Sequence, residues 1–494
     1  MSIITIGIND SGFNISTGVN LAYVNLSQPV GSYKYRILCE LTYHTSLPSL
    51  STPTTKTISF SQQVNEEGAV IFNFSEIFQS IVTPQITPSQ KSDVPTTAVP
   101  NQYTSIHTLP YSNSGATRLF SMGLLGHESG MTAFRGVAGY IDLKFWEFYS
   151  TTANGIPAKQ GSSMDKKMYM FWGRANESDP VIIDFDDYKL ENSTKSFLSS
   201  NYLKVMAEPR IYIGKDELHT ISFLNRNRIN VNAEPYLLEV KFYDSAYSQL
   251  GALSILNQSG SGGTYEPSPS VADDIYEAFY LFMGCGLENL QKLDLSEASY
   301  SGVLPDSVVG GRDAIGYYSI QFINSTESMY MSQRYNFEIV NYCDRYEQSR
   351  LAYMNRFGAW EYITLNREKT SELKVKREYV TKPLINQGIS LAGYGDAYME
   401  SSYPPEVAKQ GKMTTLVRPE EKLTLFTDNL QDYEIEQIKD LMMSPQIHLM
   451  DGENAKALVL ETSSMKLKDE KNTGLYNYEL RFAYASPKYR STHS

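Results

Sequence analysis

Apolar residues along this chain come in short pieces of strand length, separated by Gly, Pro, Ser and Asn, and the spacing turns clearly helical in only two places. That punctuation argues against a helical bundle. It predicts a mainly β protein made of several antiparallel, β-sandwich-like modules with a few short helices. Near the N-terminus the pieces are residues 19–26, 33–42, 57–62 and 70–74. Over 73–82 the period changes: Phe74, Ile77, Phe78 and Ile81 share one helical face, Asn73 and Glu76 resemble a capping box, and Pro84 ends the helix. Strands are expected again at 138–149, 168–172, 180–185, 202–206, 210–213, 219–223 and 236–243, while 271–283 fits a strand or a short helix. The strand signal is strongest at 317–324, 335–341, 361–366 and 372–380. Further on, the pattern predicts a strand at 422–427 and a helix at 431–443, with Asp428 or Asn429 near its cap and a buried stripe of Ile435, Ile438, Leu441 and Met442. Strands follow at 446–449, 457–460, 464–468 and 477–484, the last with Leu480 and Phe482 alternating against Glu479 and Arg481.

A chain of 494 residues is too long for one hydrophobic core. Its breaks suggest four modules: 1–130, an N-terminal β module with a long Pro/Ser/Thr-rich insertion at 83–117; 131–258, a second β module; 259–390, a third with an aromatic corner at 355–362; and 391–494, a C-terminal sandwich-like module with one helix. The insertion carries too little apolar surface for a core of its own, so it is a surface loop or an arm ordered against a neighbouring subunit. The glycine-rich stretch 259–264 has neither a strand-to-helix setting nor a following Lys-Thr or Lys-Ser, so it is a turn or linker and not a phosphate loop. The stretch 387–412, with its paired prolines, marks a loop or module boundary.

Composition narrows the function. A net charge of −12 argues against general nucleic-acid binding and against docking on anionic lipid. No run of about 18 apolar residues is present, so no membrane insertion is expected. The first residues lack a basic region, a long apolar stretch and a small-residue cleavage site, so synthesis in a cytoplasm without Sec-type export is the expectation. The 36 tyrosines stand out against 21 Phe and 3 Trp, and such side chains suit half-exposed strand faces and subunit interfaces.

The inventory of chemistry is nearly empty. None of the six histidines has metal-ligand spacing, and Cys39, Cys285 and Cys343 are far apart and odd in number, as buried inert thiols would be. His127 with Glu128 is a surface pair more readily than an acid–base pair. Asp184, Asp186 and Asp187 lack the glycine and distal glutamate of a calcium loop. No GxSxG elbow occurs, and nothing singles out two of the 55 acids as glycosidase carboxylates. No catalytic, cofactor-binding or metal residue is therefore assigned, no cofactor is expected, and the chain is expected not to be an enzyme.

The most informative segment packs Asn355, Arg356, Phe357, Gly358, Ala359, Trp360, Glu361 and Tyr362 together, with Trp360 and Tyr362 opening a strand-like run. It fits an architectural corner in which Phe357 and Trp360 anchor the core, Gly358 permits a turn, and Arg356 faces a partner or a neighbouring carboxylate. The competing reading is a ligand platform with Arg356 stacked on Trp360. Downstream, Lys374 and Lys376 share one face of a strand while Leu373, Val375 and Arg377 share the other, a pattern suited to a sheet edge. Those lysines are either a solvated face or a cationic edge for an acidic partner.

Three passages carry a family resemblance: Ile71 to Ile77, Cys343 through Leu351 to Tyr362, and Leu425 to Ala485. They resemble structural proteins of the tail or neck of tailed bacteriophages, of the tail-hub, distal-tail or connector-ring kind, particularly those of Bacteroidota phages including the crAss-like group. The resemblance implies a non-enzymatic virion protein, made in the host cytoplasm, that forms a ring-like homo-oligomer and joins other tail and neck proteins. The alternatives are a carbohydrate- or receptor-binding tail protein and a polysaccharide-degrading glycosidase.

Overall fold

The computed structural model describes residues 2–6, 13–15, 20–25, 32–44, 55–65, 68–81, 121–122, 138–174, 197–198, 210–225, 235–256, 280–293, 300–324, 334–341, 346–356, 358, 360–381, 412–427, 430, 432–452, 454–464, 478–485 and 492–493. The insertion at 83–117, the strands expected at 180–185 and 202–206, the pairs His127–Glu128 and Asp184–Asp187, the linker 259–264, Cys343, Phe357, the cap residues Asp428 and Asn429 and most of 464–468 lie outside these residues. The protein is mainly β, with several antiparallel sheets, as the punctuation predicts.

The N-terminal sandwich pairs a five-stranded sheet with a three-stranded one. The larger runs Phe13–Ile15, Ala158–Phe171, Ala138–Ser150, Tyr33–His44, Thr55–Gln63; the smaller runs Ser2–Ile6, Leu21–Asn25, Ala69–Asn73. Their inner faces meet through Ile37, Cys39, Leu41, Ile141 and Phe145 on one side and Ala22, Val24, Val70 and Phe72 on the other. The expected change from strand to helix is present. Ala69–Asn73 leads into helix α1, Ser75–Ile81, and Asn73 Oδ1 accepts the Ser75 backbone N–H at 3.0 Å. Phe74 and Phe78 stack at 5.4 Å inside the sandwich, so the predicted helical stripe is the buried one.

The central unit is a six-stranded sheet ordered Arg210–Ile213, Tyr335–Ile339, Tyr317–Asn324, Pro235–Tyr243, Gln249–Leu256, Tyr300–Gly302. One face buries Ile213, Val240, Phe242, Tyr318, Ile320 and Phe337 against Cys285, Ile221 and helix α2, Leu287–Gln291. Tyr280–Gly284, inside the stretch left open between strand and helix, is a strand. It belongs to a four-stranded sheet with Thr220–Asn225, Phe197–Leu198 and Ser121–Met122. Antiparallel pairing dominates, but Arg210–Ile213 joins its neighbour in parallel, as does Phe13–Ile15.

The C-terminal sheet has eight strands. Its order is Trp360–Leu365, Ser349–Met354, Ile447–Asp451, Asn454–Leu460, Glu479–Tyr484, Lys412–Phe426, Lys369–Thr381, with Thr492–His493 also on Lys412–Phe426. Helix α3, Asp432–Met442, packs on it through Leu441, Ile438 and Ile435, the stripe expected from spacing. All three module boundaries read from composition, at 130/131, 258/259 and 390/391, fall between strands of a single sheet. Long connections interrupt the sequence there, while ladder hydrogen bonds continue across them.

Candidate functional site

Strands Ser349–Met354 and Trp360–Leu365 form an antiparallel pair in which Met354 faces Trp360. Between them the Gly358 N–H donates to the Asn355 carbonyl at 3.1 Å, closing a four-residue turn. Gly358 has φ +77°, a conformation that costs an L side chain about 1–2 kcal/mol. Glu361 locks the turn from inside: its two oxygens accept from Tyr353 Oη at 2.8 Å and Asn355 Nδ2 at 2.9 Å. Trp360 is buried and its ring stacks on His448 at 4.9 Å and 26°, so this indole serves the core and is not an open platform. Burial lowers the His448 pKa to about 4, which keeps the imidazole neutral near pH 7.

Arg356 turns inward as well. It is buried, and its backbone carbonyl accepts the Arg174 N–H at 2.7 Å. The side chain of Arg174 donates from Nη2 to Asp440 Oδ1 at 2.8 Å and from Nη1 to the Met443 carbonyl at 2.8 Å, a cation at the C-terminal end of α3. Desolvation and then the nearby Glu361 push the Asp440 pKa up to about 7, against the opposing fields of Arg174 and Arg356. Of the two roles expected for Arg356, contact with a partner is ruled out by this burial, and proximity to a carboxylate describes it. Two guanidinium and two carboxylate side chains thus meet where the segment after Ala158–Phe171 reaches the C-terminal sheet.

A third arginine completes the junction. Arg350 donates with all five N–H groups: Nε and Nη2 to the Leu218 carbonyl at 3.1 and 2.9 Å, Nη2 to His219 Nδ1 at 3.1 Å, and Nη1 to Thr364 Oγ1 at 2.8 Å and to Glu217 Oε2. Thr364 Oγ1 in turn donates to Glu217 Oε1 at 2.8 Å. Burial and then Arg350 hold the His219 pKa well below its usual value, so the neutral ring presents Nδ1 as the acceptor. The Arg350 guanidinium lies 4.9 Å from the ring centre of Tyr362, whose hydroxyl is 2.7 Å from Thr220 Oγ1. Tyr362 therefore ties the C-terminal sheet to the strand Thr220–Asn225. The sequence contained no signal for Glu217, His219 or Arg350, which come together only through folding.

Lys374 and Lys376 lie elsewhere, on Lys369–Thr381, which among the described residues hydrogen-bonds along one edge only. Its partner Lys412–Phe426 is joined on the far side by Glu479–Tyr484 at Lys422–Phe426 and by Thr492–His493 at Leu416 and Val417. Among the described residues the rest of the pair extends past the sheet as a ribbon. One face is charged: Lys376 Nζ meets Glu420 at 2.7 Å and Arg418 meets Glu378 at 3.2 Å. Lys376, with Lys374 adding to it, lowers the pKa of Glu420. The other face carries Leu373, Val375 and Tyr379, exposed by 55, 36 and 50 %, opposite Glu421, Pro419 and Thr414. The two-faced edge strand expected from alternation is thus observed.

The junction reads chemically as a structural clamp, and the ribbon as a two-faced strand pair with exposed apolar side chains on one face. Cys39 and Cys285 are buried free thiols whose pKa values burial raises. Among the described residues no cluster of His, Cys, Asp and Glu forms a metal site, and no helix is long and apolar enough to cross a membrane. Comparison with models of known families and with curated protein sequences gives no match.

Proposed function

We propose that this chain is a non-enzymatic structural protein of a tailed-phage virion, located in the tail or the portal–tail connector, where it assembles into a ring-like homo-oligomer and contacts other tail and neck proteins. The observation that carries the proposal is the ribbon 369–381/412–426. A two-stranded ribbon is marginal in water on its own. Exposed Leu373, Val375 and Tyr379 on one face, plus an outer strand edge that no described strand pairs with, make it a natural arm for a neighbouring subunit. Head-to-tail contacts of that kind close into rings when the rotation between subunits allows. The buried arginine junction supplies the rigid body from which such an arm projects. The family resemblance of 71–77, 343–362 and 425–485 gives the reading its virion setting.

Mass photometry of the full chain tests this. The wild-type protein is expected as a closed multimer, and Leu373→Lys with Val375→Lys as a monomer of unchanged thermal stability, since both side chains are exposed and the new lysine at 373 lies opposite Glu421. A wild-type monomer at micromolar concentration, or a double variant that assembles like wild type, would overturn it.

A further inference from the structure

The outer face of the six-stranded sheet holds a row of residues in direct register: Tyr212 beside Glu338, Glu338 beside Tyr317, and Tyr317 beside Tyr243. Residues directly opposite in a sheet share a face. The neighbours Ile213, Phe337, Tyr318 and Phe242 fill the core, so this row looks outward. At its end the hairpin between Pro235–Tyr243 and Gln249–Leu256 closes tightly. Asp244 N–H donates to the Ser248 carbonyl at 3.0 Å, Tyr247 N–H to the Asp244 carbonyl at 3.1 Å, and Asp244 Oδ1 accepts from Ala246 and Ser248 at 2.8 Å each.

That loop places Tyr247 at φ +62°, where glycine or asparagine is the usual choice. An L side chain there costs about 1–2 kcal/mol. The ring is 58 % exposed and stacks on Tyr317 at 4.4 Å and 14°. Strain of this kind persists where the side chain has a task, and sites that hold ligands are where it gathers. One face of the Tyr247 ring is used by Tyr317, and its overall exposure leaves apolar surface in water. Beside it Arg210 Nη1 pairs with Glu338 Oε2 at 3.2 Å, both partly exposed, giving donors and acceptors without net charge. Tyr212, 43 % exposed, lies two strand spacings from Tyr317, about 10 Å.

We propose that this face binds a neutral saccharide chain whose pyranose rings carry equatorial hydroxyls. Such rings present a flat C–H face that stacks on Tyr247, while their rim hydroxyls reach the Arg210 donors and the Glu338 acceptors. The balanced ion pair disfavours a uronic-acid chain, and the Tyr212-to-Tyr317 spacing fits two successive sugar units. The site is remote from the ribbon in sequence and independent of the assembly reading.

Calorimetric titration of the full-length protein with cellohexaose and chitohexaose tests it, with a galacturonate hexamer as the anionic comparison. Binding of at least one neutral oligomer is expected. Tyr247→Gly should weaken it about ten-fold or more, while melting at the same or a higher temperature because the backbone strain is relieved. Tyr212→Ala, at an exposed strand position, should weaken it less. Wild-type protein that binds neither neutral oligomer, a Tyr247→Gly variant that binds as wild type, or tighter binding of the galacturonate oligomer would each overturn the proposal.

Discussion

Replacing Arg350 with Met is the sharpest perturbation of the junction. Arg350 is 7 % exposed and all five of its N–H groups have acceptors, so the substitution removes five bonds at once. It leaves the Glu217 carboxylate buried without its cation, although Gly214 N–H and Thr364 Oγ1 still donate to that carboxylate at 2.8 Å each. Breaking a buried ion pair by removing one partner costs about 3–5 kcal/mol, and the two remaining donors place this case near the lower end, about 3 kcal/mol. Glu217→Gln in the same background removes the stranded charge and should recover part of the loss. Urea unfolding followed by tryptophan fluorescence of the four proteins in the double-mutant cycle measures the coupling, expected at about 1.5–3 kcal/mol. A coupling below about 0.5 kcal/mol would show that Glu217 and Arg350 do not act as a unit, and the clamp would have to be abandoned.

Two further perturbations probe the corner. Gly358→Val forces a β-branched residue to φ +77° and should lose about 1–2 kcal/mol or more in the same unfolding assay; an unchanged midpoint would mean that the turn relaxes without cost. Asp440→Asn tests the buried carboxylate through pH. The folded-state pKa of about 7 lies above the ordinary 3.8, so wild-type Asp440 loses stability as pH rises through that interval, whereas Asn does not titrate. The stability of the variant relative to wild type should therefore climb from about pH 4 to pH 7, by at most about 4 kcal/mol, and level off above. A difference that stays flat across that window refutes the buried-acid assignment. His219 acts in the opposite sense: its depressed pKa means that folded protein loses stability as pH falls below the usual 6.5, an effect that His219→Gln should reduce.

Local pattern carried much of the fold. Strands Arg210–Ile213 and Tyr317–Asn324 end where apolar alternation ends, and α3 lies within its predicted limits because a buried face of Ile435, Ile438 and Leu441 leaves little choice of period. Strands whose apolar alternation is interrupted by glycine or small and polar residues were harder to see. Gln249–Leu256 contains Gly251 and small residues, and the first half of Ala158–Phe171 is rich in Ser, Lys and Gln, so neither announces a strand. The strand at Lys412–Phe426 begins ten residues before the apolar stretch and tolerates Pro419, which lies between Val417 and Lys422, where among the described residues no strand pairs on its far side. Pairing was not legible either. Glu217 and Arg350 are 133 residues apart, and no spacing rule connects them. For Arg356 the sequence left a partner and a neighbouring carboxylate both open, because it does not show which carboxylate folds beside it; Asp440 on α3 and Glu361 beside the turn give it a buried setting. Tyr247 went unnoticed because a positive φ leaves no trace in the residue type when the residue is not glycine.

The central claim is that the ribbon meets another subunit, and a photo-crosslinking amino acid at Val375 in the full-length protein tests it most directly. Irradiation at micromolar concentration should yield a ladder of covalent multimers, with the crosslinked peptide mapping to a second copy of the chain. Monomer alone after irradiation, or links only within one chain, would contradict the account.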